Sequence, residues 1–180
     1  EAGGCRVETR SVDIARRDEV EALVRSIDAL GGVVHAAGVL DDAVLLATDE
    51  ARLARALAPK LAGAVNLHAA TADRPLDLFV LFASLAGIAG WPGQGSYAAA
   101  NAALDALAHH RRALGLPAIA IDWGPWAGGG MARDLLECHG DRWAARGGGS
   151  LTPDEGLRAL EEALRLDVPQ LGVFPIDWRA

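Results

Sequence analysis

Short apolar, β-branched runs alternate with helical patterns along the whole chain. That alternation restricts it to an α/β fold with a parallel sheet and helices on both faces. Val33–Val34 within GGVVHAAGVL (residues 31–40), LDLFVLF (76–82) and AIAID (118–122) are apolar on both faces, as strands covered on both sides must be. Residues 5–12 and 171–176 are the remaining expected strands. Helical spacing joins Val20, Leu23, Val24, Ile27 and Leu30 within residues 15–30. Thr48 is the expected cap of a helix whose apolar stripe is Leu53, Leu57, Leu61 and Val65, bent near Pro59, with His68 at its end. A glycine-rich loop at 87–95 precedes an alanine-rich helix over 96–114, and Pro153 opens a last helix to about Leu166. Residues 131–147 read as a mobile helical segment. In such sheets the polar groups that act on ligands gather beyond the C-terminal strand ends. Here those places are Asp13, His35, Ser84 and the loop from Asp122 to Gly130.

Composition narrows the partners. At 180 residues and 51% hydrophobic content, the chain can bury one sizeable core. A net charge of -7 argues against nucleic acid, whose phosphates need a basic face. Cys5 and Cys138 are too few for a disulfide scaffold, no apolar run is long enough for a membrane span, and no basic-then-apolar signal segment opens the chain. The expectation is a cytoplasmic protein with no membrane partner.

Four groups of residues carry candidate chemistry. Ser84 ends a central strand, and Tyr97 and Asn101 sit four apart on one face of the following helix. A right-handed crossover brings that first turn back beside Ser84. Tyr97 is the only tyrosine. A phenol whose pKa is lowered from about 10 is a workable general acid for a carbonyl oxygen, and a neighbouring hydroxyl can hold the developing oxyanion. The bland alternative is that Tyr97 only packs at a helix start. Lys60 is the one lysine among 17 basic residues. It either snorkels from an apolar helix or supplies a compact ammonium to chemistry. His35-Ala36-Ala37-Gly38 offers small residues at a strand end, where a flat ligand can approach the backbone. Leu40, Asp41 and Asp42 come next, without the further ligands a metal requires. His35 itself reads as a structural hydrogen-bonder, His68 as a satisfied histidine at the core edge, and His109, His110 and His139 as helix-surface residues. The loop DWGPWAGGGM (122–131) is either a surface turn or a ligand-covering loop, and its two tryptophans favour the second.

VVHAAGVLDD, the APK around Lys60, LFVLFASLAG, PGQGSYAAANAALDALAHHR, AIDWGPWAGGGMA and LTPDEGLRALEEAL succeed one another over essentially the whole chain. Together they resemble the ketoreductase domain of modular type I polyketide synthases, a branch of the short-chain dehydrogenase/reductase superfamily. The order YAAAN with a distant lysine favours that branch over a free-standing alcohol dehydrogenase.

The resemblance implies a Rossmann-like sheet and NADPH-dependent reduction of a β-ketoacyl thioester. The substrate would be carried on the phosphopantetheine of an acyl carrier protein, among other polyketide synthase domains. It implies that Ser84 holds the substrate carbonyl, Tyr97 donates the proton, Lys60 supports Tyr97 and the nicotinamide ribose, and Asn101 completes the tetrad. Asp13 would read the adenine amine, His35, Ala36, Ala37 and Gly38 would lie along the adenosine ribose, and Pro125 and Trp126 would meet the carboxamide. Leu40, Asp41 and Asp42 look like the signature of ketoreductases that give the D-hydroxyl, with Gln94 and Met131 as further substrate-side residues. Ala89, not tryptophan, stands eight residues before Tyr97, where the opposite type carries its marker. Ser96 departs from the asparagine that often precedes the tyrosine. Residues 128–147 resemble a substrate lid.

The same pattern opens with two strands and a glycine-rich phosphate loop, and the 180 residues hold no GxGxxG. The expectation is therefore a truncated sheet, with residues 5–12 either unpaired across a gap or moved onto an edge, and weaker NADPH binding than by a complete domain. The rival readings are a non-catalytic structural piece and a free-standing fatty-acyl or sugar reductase.

Overall fold

The computed structural model describes residues 4–129, 131 and 140–179. Its centre is a four-stranded, all-parallel sheet in the order β1-β2-β3-β4, formed by Gly32–His35, Leu78–Ser84, Ile119–Trp123 and Gln170–Val173. The register pairs Val34 with Val80, Leu81 with Ala120, and Ile121 with Leu171. Because side chains alternate across a strand, each face of this sheet feeds a separate core.

One core joins Val33, Phe79, Leu81, Ala83 and Ala120 to α1 (Arg17–Arg25), α3 (Gly63–Thr71) and α5 (Gly95–Ala113). The other joins Val80, Ile119, Ile121 and Trp123 to α6 (Pro153–Ala163). Side chains such as Phe79, Leu81 and Ile121 are at most 1% exposed, and each contributes roughly 1.5–3 kcal/mol by leaving water. Helices therefore cover both faces of a Rossmann-like parallel sheet. α6 starts as its sequence dictates: Thr152 accepts from the Glu155 amide, and Glu155 reaches back to the Thr152 amide, with Pro153 at the first helical position. It ends at Ala163, three residues short of the expected Leu166.

Residues 5–12 form no strand. They are mostly exposed and join no ladder, and Val7 is 69% exposed. Arg6 and Arg10 pair instead with Glu8 along the same segment. A strand exists only through its neighbours' amides and carbonyls, and no described strand lies beside this one. β1 is accordingly an edge strand with Val34 57% exposed.

The helix α2 (Glu50–Leu57) and the turn after it also depart from the sequence expectation. The cap of α2 is Asp49, whose carboxylate accepts from the Arg52 amide at 2.8 Å, not Thr48. Pro59 then sits in a π-helical turn, Ala58–Ala62, which leads straight into α3. A wider turn rotates the helix face. The residues that turn inward are Ala56, Lys60, Gly63, Ala64 and Leu67, while Leu53 and Val65 of the expected stripe are left exposed. Gly63 permits the approach: a β-carbon there would lie 2.8 Å from Ile14 and 3.3 Å from the His35 ring.

A short helix, α4 (Leu85–Ala89), comes after β2 and runs into the expected glycine-rich stretch. His139 and part of the segment read as a substrate lid, residues 130 and 132–139, lie outside the described residues. Residues 140–144 are helical.

Candidate active site

The C-terminal ends of β1, β2 and β3 and the first turn of α5 surround a cavity of about 330 Å3. Its walls include Ala36, Leu40, Lys60, Ser84, Gln94, Tyr97, Pro125, Trp126 and Met131, all named as site candidates from sequence, Trp123 of the two-tryptophan loop, and Phe82 and Trp91, which were not site candidates. Fold and spacing thus bring Ser84, Tyr97 and Lys60, which span 37 positions, to one apolar hollow.

Ser84 leaves β2 and caps α4, its Oγ accepting from the Ala86 amide at 3.2 Å. Asn101 is fully buried one helical turn beyond Tyr97, and its Nδ2 donates to the Tyr97 carbonyl at 2.7 Å. Lys60 is 3% exposed on the π turn and donates from Nζ to the Phe82 carbonyl at 2.9 Å. Burial pushes its amine down to about 8, with Asp105 and Asp122 pulling it back up. Burial also raises the Tyr97 phenol above its ordinary value, with the Ser84 hydroxyl and the Asn101 side chain pulling it back. This direction is opposite to the one expected of a poised acid. An apolar cavity favours the neutral phenol, and the nearest cation is itself weakened by burial.

His35 is 2% exposed, and its Nε2 donates to the Lys60 carbonyl at 3.0 Å, the structural bond read from the sequence. It turns inward, away from any ligand in the cavity. Gly38 lies against the lysine stem: a β-carbon there would come 3.0 Å from Lys60 Cε. Ala37 is half-buried and lines neither this cavity nor its neighbour.

A second, shallower hollow is walled by Asp13, Val39, Leu40, Asp41, Arg55 and Pro59. Leu40 belongs to both, so the two hollows adjoin across the loop after β1. Asp13 shapes the entry to α1, its carboxylate accepting from the Ala15 amide at 3.0 Å. Asp41 is held by Arg52 and Arg55. Asp42 accepts from Gln94 Nε2 at 2.9 Å, which ties the loop after β1 to the cavity wall. The remaining wall is aromatic: Trp126 packs edge-on against Trp123, with ring centres 5.0 Å apart.

The first hollow is lined by Lys60 and by the aromatic pair Trp123–Trp126, an apolar lining that a planar ring can enter. The adjoining hollow offers Asp13 to a second ring. The described residues therefore fit the two rings of a nicotinamide dinucleotide, with Lys60 and Trp126 at one hollow and Asp13 at the other.

His68 is satisfied at the core edge, as read: Arg111 Nη1 donates to its Nδ1 at 3.0 Å. Arg111 was missed. It is fully buried and stacks on Phe79, 3.8 Å from the ring centre. Its only signal was a place in a basic, surface-like run. Asp105 was also missed, although its spacing of four from Asn101 puts it on the same inward face of α5.

A parallel α/β sheet with its polar groups gathered at the C-terminal strand ends defines a Rossmann-like protein of the short-chain dehydrogenase/reductase fold. Within that class the chain belongs to the KR domain family, whose model matches residues 1–128. It is 44% identical over 181 residues to the polyketide synthase GfsB of Streptomyces halstedii, covering 99% of this chain and 3% of that protein. The solved first ketoreductase of the tylosin PKS superposes with a TM-score of 0.88 at 44% identity, covering 97% of this chain and 38% of that one. A solved A1-type ketoreductase superposes at 0.90 with 41% identity, covering 97% and 37%. The chain thus spans a small part of the synthase and under two fifths of these solved ketoreductase chains.

Proposed function

We propose that this chain carries the reducing centre of a polyketide synthase ketoreductase, converting a β-ketoacyl thioester to the β-hydroxyacyl thioester with NADPH. The observation that carries the reading is the convergence of Ser84, Tyr97 and Lys60 on one apolar cavity. An apolar hollow that ends in two hydroxyls suits a ketone whose oxygen must gain a proton as charge develops on it. The ketone oxygen accepts from Ser84 Oγ and the Tyr97 hydroxyl. Tyr97 releases its proton to that oxygen, and the buried Lys60 amine stands over the ring to lower the cost of the phenolate. Bound NADPH supplies the hydride. Lys60 would stand on the nicotinamide-ribose side, Gly38 along the adenosine ribose, Pro125 and Trp126 at the carboxamide, and Asp13 at the adenine.

The substrate arrives on the phosphopantetheine of an acyl carrier protein, past Met131 on the cavity wall. Neighbouring synthase domains are its other partners. The product carries the D-hydroxyl: Leu40, Asp41 and Asp42 supply the signature, and Ala89 stands where the opposite type has tryptophan. The Asp42–Gln94 bond gives that signature a physical route to the cavity.

The test is NADPH consumption with a model diketide thioester by the intact synthase that contains this chain, followed by chiral analysis of the product. Consumption that vanishes with Tyr97→Phe and yields the D-alcohol is the expected result. A clean L-alcohol overturns the stereochemical part. No consumption by a folded, NADPH-binding protein overturns the whole and leaves a structural role.

A further inference from the structure

Beneath the proposed tetrad lie two buried carboxyl groups that the chemistry above does not use. Asp105 comes eight residues after Tyr97 and four after Asn101, so all three share one face of α5. Asp122 stands on β3, opposite Ala83. Asp122 is 0% exposed and Asp105 is 8% exposed. Asp122 Oδ2 accepts a 2.8 Å hydrogen bond from Gln170 Nε2 on β4. Oδ1 of each aspartate is buried and has no donor among the described residues. Each carboxyl nevertheless acts on the other through a side-chain hydrogen bond, Asp122 raising Asp105 and Asp105 lowering Asp122. Ionised carboxylates only accept, and two of them repel. Such a contact closes when one proton sits between them.

We propose that Asp105 and Asp122 form a proton-sharing acid pair whose single negative charge is the buried counter-charge of Lys60. The pair positions the ammonium beside Tyr97 without touching the substrate. Burial, then the charge of Asp122, pushes Asp105 up to about 7, and burial raises Asp122 as well. The groups facing the pair are few. The π turn presents Lys60, β2 the Ser84 backbone and β4 Gln170, and Asn101 shares the face of α5 that carries Asp105. His109, exposed on α5, reaches only the far side of Gln170, at 3.4 Å. One ammonium against one shared negative charge leaves the cluster neutral, which a dry interior requires.

The pair's purpose rests on the reductase reading, but its existence does not, and the test separates the two. Lys60 is the sole lysine, so isotope-labelled lysine gives one side-chain signal in the 180-residue chain. Sharing one proton makes a specific, non-additive pattern. Asp105→Asn or Asp122→Asn alone leaves one carboxylate, and the Lys60 pKa moves by less than about half a unit. The double variant removes the last charge and lowers it by about one unit or more. Equal, additive shifts from the two single variants show two independent carboxylates and overturn the proposal, as does an unmoved lysine in the double variant.

Labelled aspartate in the unaltered chain gives a second reading that needs no variant to fold. Asp105 and Asp122 both ionised at about pH 6 would also overturn it. In the intact synthase the same three variants are read through the pH profile of kcat. There the double variant alone shifts the basic limb, which a merely structural pair would not do.

Discussion

Lys60 Nζ donates to the Phe82 carbonyl at 2.9 Å and stands 5.4 Å from the centre of the Tyr97 ring. The amine is therefore anchored to the backbone of β2 while its charge lies over the face of the phenol. Both contacts favour the charged form, and burial opposes them. The Phe82 carbonyl thus holds the amine from the sheet, while the buried acid pair balances its charge.

That balance has a pH signature. The folded Lys60 pKa is lowered to about 8, below its unfolded value of 10.5. Between those values the unfolded chain binds more protons, so stability rises with pH. Above pH 10 the raised Tyr97 acts in the opposite sense. From pH 8 to 10 the denaturation midpoint should climb, with a slope of at most about 1.4 kcal/mol per pH unit from this group. Lys60→Met should lose the climb. An equal climb in that variant would assign it elsewhere.

Tyr97→Phe keeps the ring over which Lys60 lies and removes only the proton donor. In the intact synthase, turnover should fall by roughly 10²–10⁴-fold with the melting temperature nearly unchanged. Steady-state NADPH oxidation and a thermal melt measure both.

Ser84→Ala should act twice. Loss of an oxyanion donor should cost on the order of 10²-fold in kcat. The same oxygen caps α4 through the Ala86 amide, so stability should fall by about 1 kcal/mol. Ser84→Thr can restore the cap, and comparing melts of the two variants separates the effects.

Gly156 lies under the Trp126 ring, and a β-carbon there would come 2.2 Å from it. Gly156→Ala gains about 1 kcal/mol in helix propensity but must displace a ring that forms the cavity wall. Overpacking of this kind costs roughly 1–3 kcal/mol, so the melting temperature should fall by about 2–4 °C for each net kcal/mol lost. KM for the thioester should rise with it.

The sheet strands and α5 were legible because each is a local pattern: an apolar β-branched run between breakers, or alanines at helical spacing. Ser84, Tyr97 and Asn101 were legible for the same reason, since a strand end and an i, i+4 pair are fixed by position alone. Residues 5–12 misled because alternation describes a strand's own residues and says nothing of a neighbour to pair with. The stripe Leu53, Leu57, Leu61 and Val65 misled because it presumes an unbroken 3.6-residue period, and the π turn at Ala58–Ala62 breaks that period.

By itself, then, the sequence determined the alternating strands and helices and, through motif order, membership of the KR domain family. Only the tertiary structure decided that Lys60 points inward, that Asp42 grips Gln94, and that Asp105 and Asp122 are both buried. The physical reason is range. Propensity and periodicity act within a few residues. The charge state of a buried amine is set by desolvation and by carboxyls 45 and 62 positions away in the chain, which only the packing of α5 and the π turn on the sheet brings together.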